Sequence, residues 1–194
     1  MKPLKRSKIK KLMQKYQASV SDVELVFLLQ NFENAVNVGH MFRIADALSA
    51  KELIITGHTH LPDQVLPTNS SEYDASKLQK MYSKDVLITS MGQENRMPYR
   101  YFSRPEDAVK TLKTEGFAII SVELTENSIL YTELKYPKKV CLVLGNETKG
   151  VYPSVLSSSD HIVHIPMYGK NYSLNVHISG ALVGYEVRKI GEDD

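Results

Sequence analysis

Short apolar runs alternating with helical stripes of apolar residues constrain the fold of this 194-residue chain more than any other feature. VELVFLL (Val23 to Leu29), ELIIT (Glu52 to Thr56), a run from Val86 to Thr89, FAIISV (Phe117 to Val122), KVCLVL (Lys139 to Leu144) and HIVHI (His161 to Ile165) read as strands. Between them, Val38, Met41, Phe42, Ala45 and Leu48 form one helical stripe. Ser76 to Tyr82 and Glu106 to Thr114 read as further helices, and Ser173 to Val187 closes the chain as another. Alternation of this kind predicts a single α/β domain, a mostly parallel sheet flanked by helices. Two polar stretches, Pro62 to Ser76 and Met91 to Tyr101, are expected as long loops, where binding residues often gather.

The ends of the chain add two expectations. Residues 1–20 carry Lys2, Lys5, Arg6, Lys8, Lys10, Lys11 and Lys15 and no acid, whereas the remainder holds 17 basic and 22 acidic residues. Attraction to polyanions is therefore concentrated in this tail, which reads either as an RNA-contacting segment or as a solvated one. Leu4, Ile9, Leu12, Met13 and Tyr16 recur near helical spacing, so residues 5–17 are expected as a basic amphipathic helix packed on the body. The division is thus an N-terminal extension, 1–20, and a domain, 21–194. At the other end, Leu174, Ile178, Ala181, Leu182 and Tyr185 occupy one side of the last helix and Val176, Val183 and Val187 another. Two apolar faces need two partners, which predicts a homodimer.

Several functions are excluded by composition and motif. The single cysteine, Cys141, lies in an apolar run and rules out a disulfide framework within the chain. No run of about 18 apolar residues is available to span a bilayer, so a soluble, cytoplasmic protein is expected, with no membrane partner. The dinucleotide pattern G-x-G-x-x-G is missing. GNETKG (Gly145 to Gly150) has P-loop glycine spacing but is followed by Val151 and Tyr152 in place of Lys and Ser or Thr. His58 and His60 lack further ligands at metal-binding spacing, so no metal site is expected.

Three segments pair apolar strand ends with polar residues. In NVGHMFR, Asn37 reads as a helix cap, while Arg43 interrupts an apolar stretch and offers a fork for phosphate oxygens. Six residues leave the two about 120° apart on a helix, so they do not share a stripe. In LVLGNETKG (Leu142 to Gly150), Gly145 permits close approach of a ligand to the backbone, and Glu147 is placed to accept from an amine, a hydroxyl or Arg43; a plain turn is the alternative. In IPMYGKNYSLNV (Ile165 to Val176), Ser173 reads as the cap of the last helix, and Asn175 in its first turn calls for a polar partner. Together they describe one crevice at the C-terminal ends of strands, where α/β sheets usually bind ligands.

In that order the three segments, with ITSMGQE (Ile88 to Glu94), resemble the motifs of the TrmH (SpoU) branch of the SPOUT methyltransferases, the likeness running from about Val23 to Tyr185. The resemblance implies a C-terminal trefoil knot, S-adenosylmethionine bent into it, and an obligate homodimer with composite sites. By position, Leu144, Gly145, Ile165, Met167 and Leu174 match the cofactor contacts, with Ser121 to Leu124 as another wall. Asn37, Arg43, Glu147, Ser173 and Asn175 match the catalytic and substrate-positioning set. The implied reaction is methyl transfer to a ribose 2'-hydroxyl of RNA, tRNA favoured over rRNA. Arg43 would grip a phosphate and orient the hydroxyl, because a guanidinium scarcely deprotonates. RNA contacts would come from Arg43 and from Lys5, Arg6, Lys8, Lys10 and Lys11. A catalytically silent RNA-binding or ribosome-associated dimer, and a base or protein methyl acceptor, are the alternatives. The chain departs from the family pattern at His177 to Gly180 and at His40 to Phe42, positions that bear on substrate fit and not on the chemistry.

Overall fold

The computed structural model describes residues 3–20, 22–62 and 79–189. In chain order these form α1 (Arg6–Ala18), β1 (Glu24–Gln30), α2 (Ala35–Ala47), β2 (Glu52–Thr56), α3 (Lys84–Ser90) and a 3-10 turn (Gln93–Asn95). β3 (Tyr99–Phe102), α4 (Pro105–Thr114), β4 (Ala118–Val122), β5 (Ile129–Leu130), β6 (Lys139–Leu144), α5 (Pro153–Leu156), β7 (His161–His164) and α6 (Val176–Lys189) follow. Seven strands make one sheet in the order β3-β2-β1-β6-β4-β7-β5, with every pairing parallel. The expected α/β architecture is therefore present.

Apart from polar end residues, β1 and β6 at the centre are apolar because both faces are covered. Leu25, Phe27, Leu29, Val140, Leu142 and Leu144 pack with α2 and α6 on one face. Val26, Leu28, Cys141 and Val143 alternate with them and meet Ala108, Val109 and Leu112 of α4 on the other. Cys141 is a core residue, and burial pushes its thiol well above the ordinary range. Each of these large side chains contributes about 1.5–3 kcal/mol by leaving water. Among the described residues no helix is long and apolar enough to cross a membrane.

α6 lies close against the sheet because two of its residues have no side chain. A Cβ on Gly180 would stand 2.8 Å from Leu144 Cδ1, and one on Gly184 would stand 2.6 Å from Leu48 Cδ1 and 3.0 Å from Phe27 Cζ. At its C-terminal end, Arg188 donates to the carbonyl oxygens of Leu48 (2.7 Å), Ser49 (2.7 Å) and Val23 (2.5 Å). The helix is thus held at both ends of its contact with β1 and α2, and its start is fixed beside the C-terminal ends of the strands.

Several expectations need correction. Val86 to Thr89 is not a strand but part of α3, capped by Ser83, whose hydroxyl accepts from the Asp85 N–H. Val86 and Ser90 are its buried residues, four apart, and Ile88 is 71 % exposed, a helical pattern of burial in a β-branched run. Met91 to Tyr101 is not all loop, since it includes the 3-10 turn and the start of β3. β3 lies at the sheet edge with every residue half-buried, so it lacks the apolar run of a central strand. Helix α6 begins at Val176 and not at Ser173; the Asn175 carbonyl accepts the N–H groups of Ile178 and Ser179, which puts Asn175 itself at the cap position. Likewise the cap of α2 is Asn34, whose side chain accepts from Val36 N at 2.9 Å, leaving Asn37 in the first turn. α1 has the expected helical form but does not pack on the body: all its side chains are exposed. Residues 63–78, which hold most of the expected long loop and the first three residues of the expected Ser76 to Tyr82 helix, lie outside the described residues, and residues 79–81 of that helix are helical.

The tight seat of α6 makes a direct prediction. Gly184→Val should lower the unfolding free energy by about 1–3 kcal/mol through overpacking against Leu48 and Phe27, read as a lower urea midpoint with an unchanged m-value.

Candidate active site

The expected crevice exists. A cavity of about 410 Å³ opens at the C-terminal ends of β4 and β6 and beside the segment that follows β7. Its walls bring together Leu144, Gly145, Ile165, Met167 and Leu174 with Asn37, Glu147, Ser173 and Asn175, from segments far apart in the chain. Val122, Glu123 and Leu124 at the end of β4 add the further wall.

The loop after β6 owes its shape to hydrogen bonds that satisfy its own backbone. Asn146 and Gly150 exchange backbone N–H···O bonds at 3.1 and 2.9 Å. The Asn146 side chain donates to Asn31 O at 2.7 Å and accepts from Thr148 N and Lys149 N at 3.0 and 2.8 Å. Gln30 donates to Gly150 O at 3.1 Å and accepts from Tyr152 N at 3.0 Å. Glu123 accepts from Leu124 N and Val151 N at 3.0 and 2.8 Å. Gly145 lines the cavity and also serves this fold-back: a Cβ there would stand 2.3 Å from Gly150 C and from Val151 N. Gly150 has φ +67°, a conformation that favours glycine, and a Cβ on it would stand 2.3 Å from Glu123 Oε2 and push that carboxylate from its place.

Glu147 is the joint of the site. Its carboxylate accepts from Glu33 N at 2.8 Å, Asn34 N at 3.2 Å and Asn37 Nδ2 at 2.8 Å. A carboxylate at the N-terminus of α2 meets unsatisfied donors and the positive end of the helix dipole. Its partners are therefore backbone groups and an amide, and not Arg43. The Asn37 Oδ1 in turn faces His177 Nδ1 at 2.9 Å.

Arg43 is the one motif residue that the chain keeps out of the crevice. It lines a second cavity, of about 330 Å³, with His40, Ile44, Ala47, His177 and Tyr185. The 120° separation expected on α2 accounts for this, because Asn37 turns toward the first cavity and Arg43 toward the second. Lys5, Arg6, Lys8, Lys10 and Lys11 are all exposed at α1. Sequence reasoning passed over Gln30 and Asn146, and took His40 and His177 only as departures bearing on substrate fit. Gln30 carried a signal, a polar side chain ending an otherwise apolar strand; the histidines carried only their bulk.

The cavity suits a ligand of definite character. Leu144, Ile165, Met167 and Leu174 offer apolar walls for a planar ring, Glu123 and Glu147 place two carboxylates on the lining, and among the described residues no lysine or arginine lines it. Such a lining favours a cation and disfavours a polyphosphate.

Comparison with known proteins bears on the same residues. The SpoU rRNA Methylase family model matches residues 73–185. The chain belongs to this family. A SpoU relative, the tRNA (guanosine(18)-2'-O)-methyltransferase of Aquifex aeolicus, is 35 % identical over 89 residues, 46 % of this chain and 42 % of that protein. The enzyme of the same description from Escherichia coli strain K12 is 25 % identical over 166 residues, 86 % of this chain and 63 % of that one. The chain thus spans about half the length of these relatives. Among solved structures, an AdoMet-bound rRNA methyltransferase from Sinorhizobium meliloti matches with TM-score 0.72 at 23 % identity over 86 % of this chain and 56 % of its own. The A. aeolicus TrmH/SpoU tRNA modifying enzyme matches with TM-score 0.69 at 22 % identity over 95 % and 84 %. These two matches show a shared fold.

The Glu147 joint is testable on its own. Glu147→Gln replaces an acceptor-only group with one whose NH₂ faces backbone donors, and should cost about 1–3 kcal/mol of stability, measured by urea unfolding.

Proposed function

We propose that this chain transfers a methyl group from S-adenosylmethionine to a ribose 2'-hydroxyl of structured RNA, tRNA in preference to rRNA, and does so as a homodimer. The observation that carries the reading is the convergence of the motif residues on one cavity with apolar walls and two carboxylates. That cavity fits a cofactor with a flat base and a cationic sulfur. When bound, S-adenosylmethionine supplies an electrophilic methyl group on sulfonium.

The chain's own residues do the rest. Leu144, Ile165, Met167 and Leu174 enclose the base and exclude water. Asn37, Glu147, Ser173 and Asn175 set the rim where the acceptor ribose enters. The Ser173 and Asn175 side chains have no hydrogen-bond partner in the chain among the described residues, so both are available to cofactor or RNA. Arg43 grips the phosphate and orients the hydroxyl for in-line attack, positioning being a large share of the rate.

The dimer explains where Arg43 stands. Ile178, Leu182 and Tyr185 of α6 are 42 %, 40 % and 57 % exposed, an apolar face that continues onto Ile44 and Ala47 of α2 beside Arg43. A second copy on this face would bring its Arg43 toward the first copy's crevice and complete a composite site. The trefoil knot belongs to the same proposal. The segment 165–175 crosses from β7, near one sheet edge, to α6 on α2 and β1, passing the loop after β6 that lines the same cavity. In this reading residues 21–194 perform the chemistry in the cytoplasm, and the 1–20 extension adds phosphate contacts through Lys5, Arg6, Lys8, Lys10 and Lys11.

Incubation with methyl-labelled S-adenosylmethionine and bulk tRNA, followed by digestion to nucleosides, should place label on a ribose. Label on a base, or RNA retention without label, would overturn the reading. Arg43→Ala should lower transfer by roughly a hundredfold or more while the cofactor dissociation constant, read by calorimetry, changes less than about threefold.

A further inference from the structure

The hydrogen-bond chain that begins at Glu147 continues past Asn37. A carboxylate only accepts, so the Asn37 amide must turn Nδ2 toward Glu147, which leaves Oδ1 toward the imidazole of His177. An amide oxygen also only accepts, so the N–H across that 2.9 Å contact belongs to His177 Nδ1. Burial, with His40 alongside, holds this imidazole below the usual histidine range. Near pH 7 the ring is then neutral, with one N–H, and that one is committed to Asn37.

His177 occupies the second position of α6, directly after the segment that supplies Ile165, Met167, Ser173 and Leu174 to the cavity. Asn37 is on α2, and Glu147 is in the loop after β6. One imidazole thereby joins the third segment of the site to the other two. The ring of His40 lies against it, centroids 4.7 Å apart at 38°, and opposes the rotation that would break the bond. Without this donor the Asn37 amide is held at Nδ2 by Glu147 alone, and its oxygen end loses the contact that anchors it to α6.

We propose that His177 is a positioning residue: its Nδ1–H anchors Asn37 Oδ1 and, together with Glu147 on Nδ2, holds the Asn37 amide in one place at the rim of the crevice. Its kinetic consequence rests on the methyl-transfer reading; its tautomer does not.

The test has two arms. Long-range nitrogen–proton NMR of histidine-labelled protein at neutral pH, with His177 assigned by its loss in His177→Asn, should show the Nδ1–H form, and Asn37→Ala should return the ring to the Nε2–H form that free imidazole prefers. An Nε2–H ring in the unaltered protein would overturn the inference, whether or not the protein methylates RNA. With bulk tRNA as acceptor, His177→Ala should lower kcat roughly tenfold or more, with a smaller change in the KM for S-adenosylmethionine. His177→Asn, whose amide places a donor near the Nδ1 position, should restore kcat to within about threefold, and His177→Gln, whose amide reaches the Nε2 position, should not. An unchanged kcat in His177→Ala, or no difference between the Asn and Gln variants, would equally sink it. Should the unaltered protein label no RNA, the methyl-transfer reading fails, and the tautomer alone decides this inference.

Discussion

A single carboxylate at a helix N-terminus holds this site together. Glu147 takes the backbone N–H groups of Glu33 and of the cap residue Asn34, directly before α2, and the amide of Asn37, residues more than a hundred positions earlier in the chain. The first turn of a helix has donors that no intrahelical acceptor can reach, so this contact satisfies groups that would otherwise need water. It also sets an anion at the positive end of the helix dipole. The loop after β6 is thereby tied to α2, and through Asn37 and His177 to α6.

The walls of the crevice differ in how firmly they are built. Residues 145–151 bond one another and to Asn31, Gln30 and Glu123, leaving few of their backbone groups to solvent. The segment after β7 is the opposite. Tyr168 and Tyr172 are 95 % and 92 % exposed, and no side-chain hydrogen bond involves residues 165–174 among the described residues. In the proposed reaction the first wall supplies a fixed frame, and the second takes its final shape from cofactor and RNA. Segments with few buried contacts are the ones that adapt on binding.

The contrast between Asn37 and Arg43 follows from helix geometry. Both stand on α2, and their angular separation sends them to different cavities. A residue matched to the catalytic set that sits on an exposed apolar face is hard to use within one chain. It becomes usable when a second copy covers that face, so in the proposed assembly the same contact that buries α6 also delivers Arg43.

By itself the sequence determined the α/β class, the strands at the sheet's centre and the residues that gather in the crevice. Burial on both faces leaves an unmistakable mark on β1 and β6, because the residues between their ends must be apolar. Its marks were ambiguous where burial is partial. The run from Val86 to Thr89 looked like a strand although its residues are spaced as a helix, and the edge strand β3 looked like loop. Caps were misplaced for a related reason, since Asn34 and Asn37, or Ser173 and Asn175, are equally good cap residues by type. Only the tertiary structure chose between them. It also decided that Gly145 makes room for the chain's own backbone, that Glu147 answers to α2, that α1 stands clear of the body, and that His177 meets Asn37. Those outcomes depend on contacts between segments far apart in the chain, and no local pattern of residue types encodes a distance of that kind.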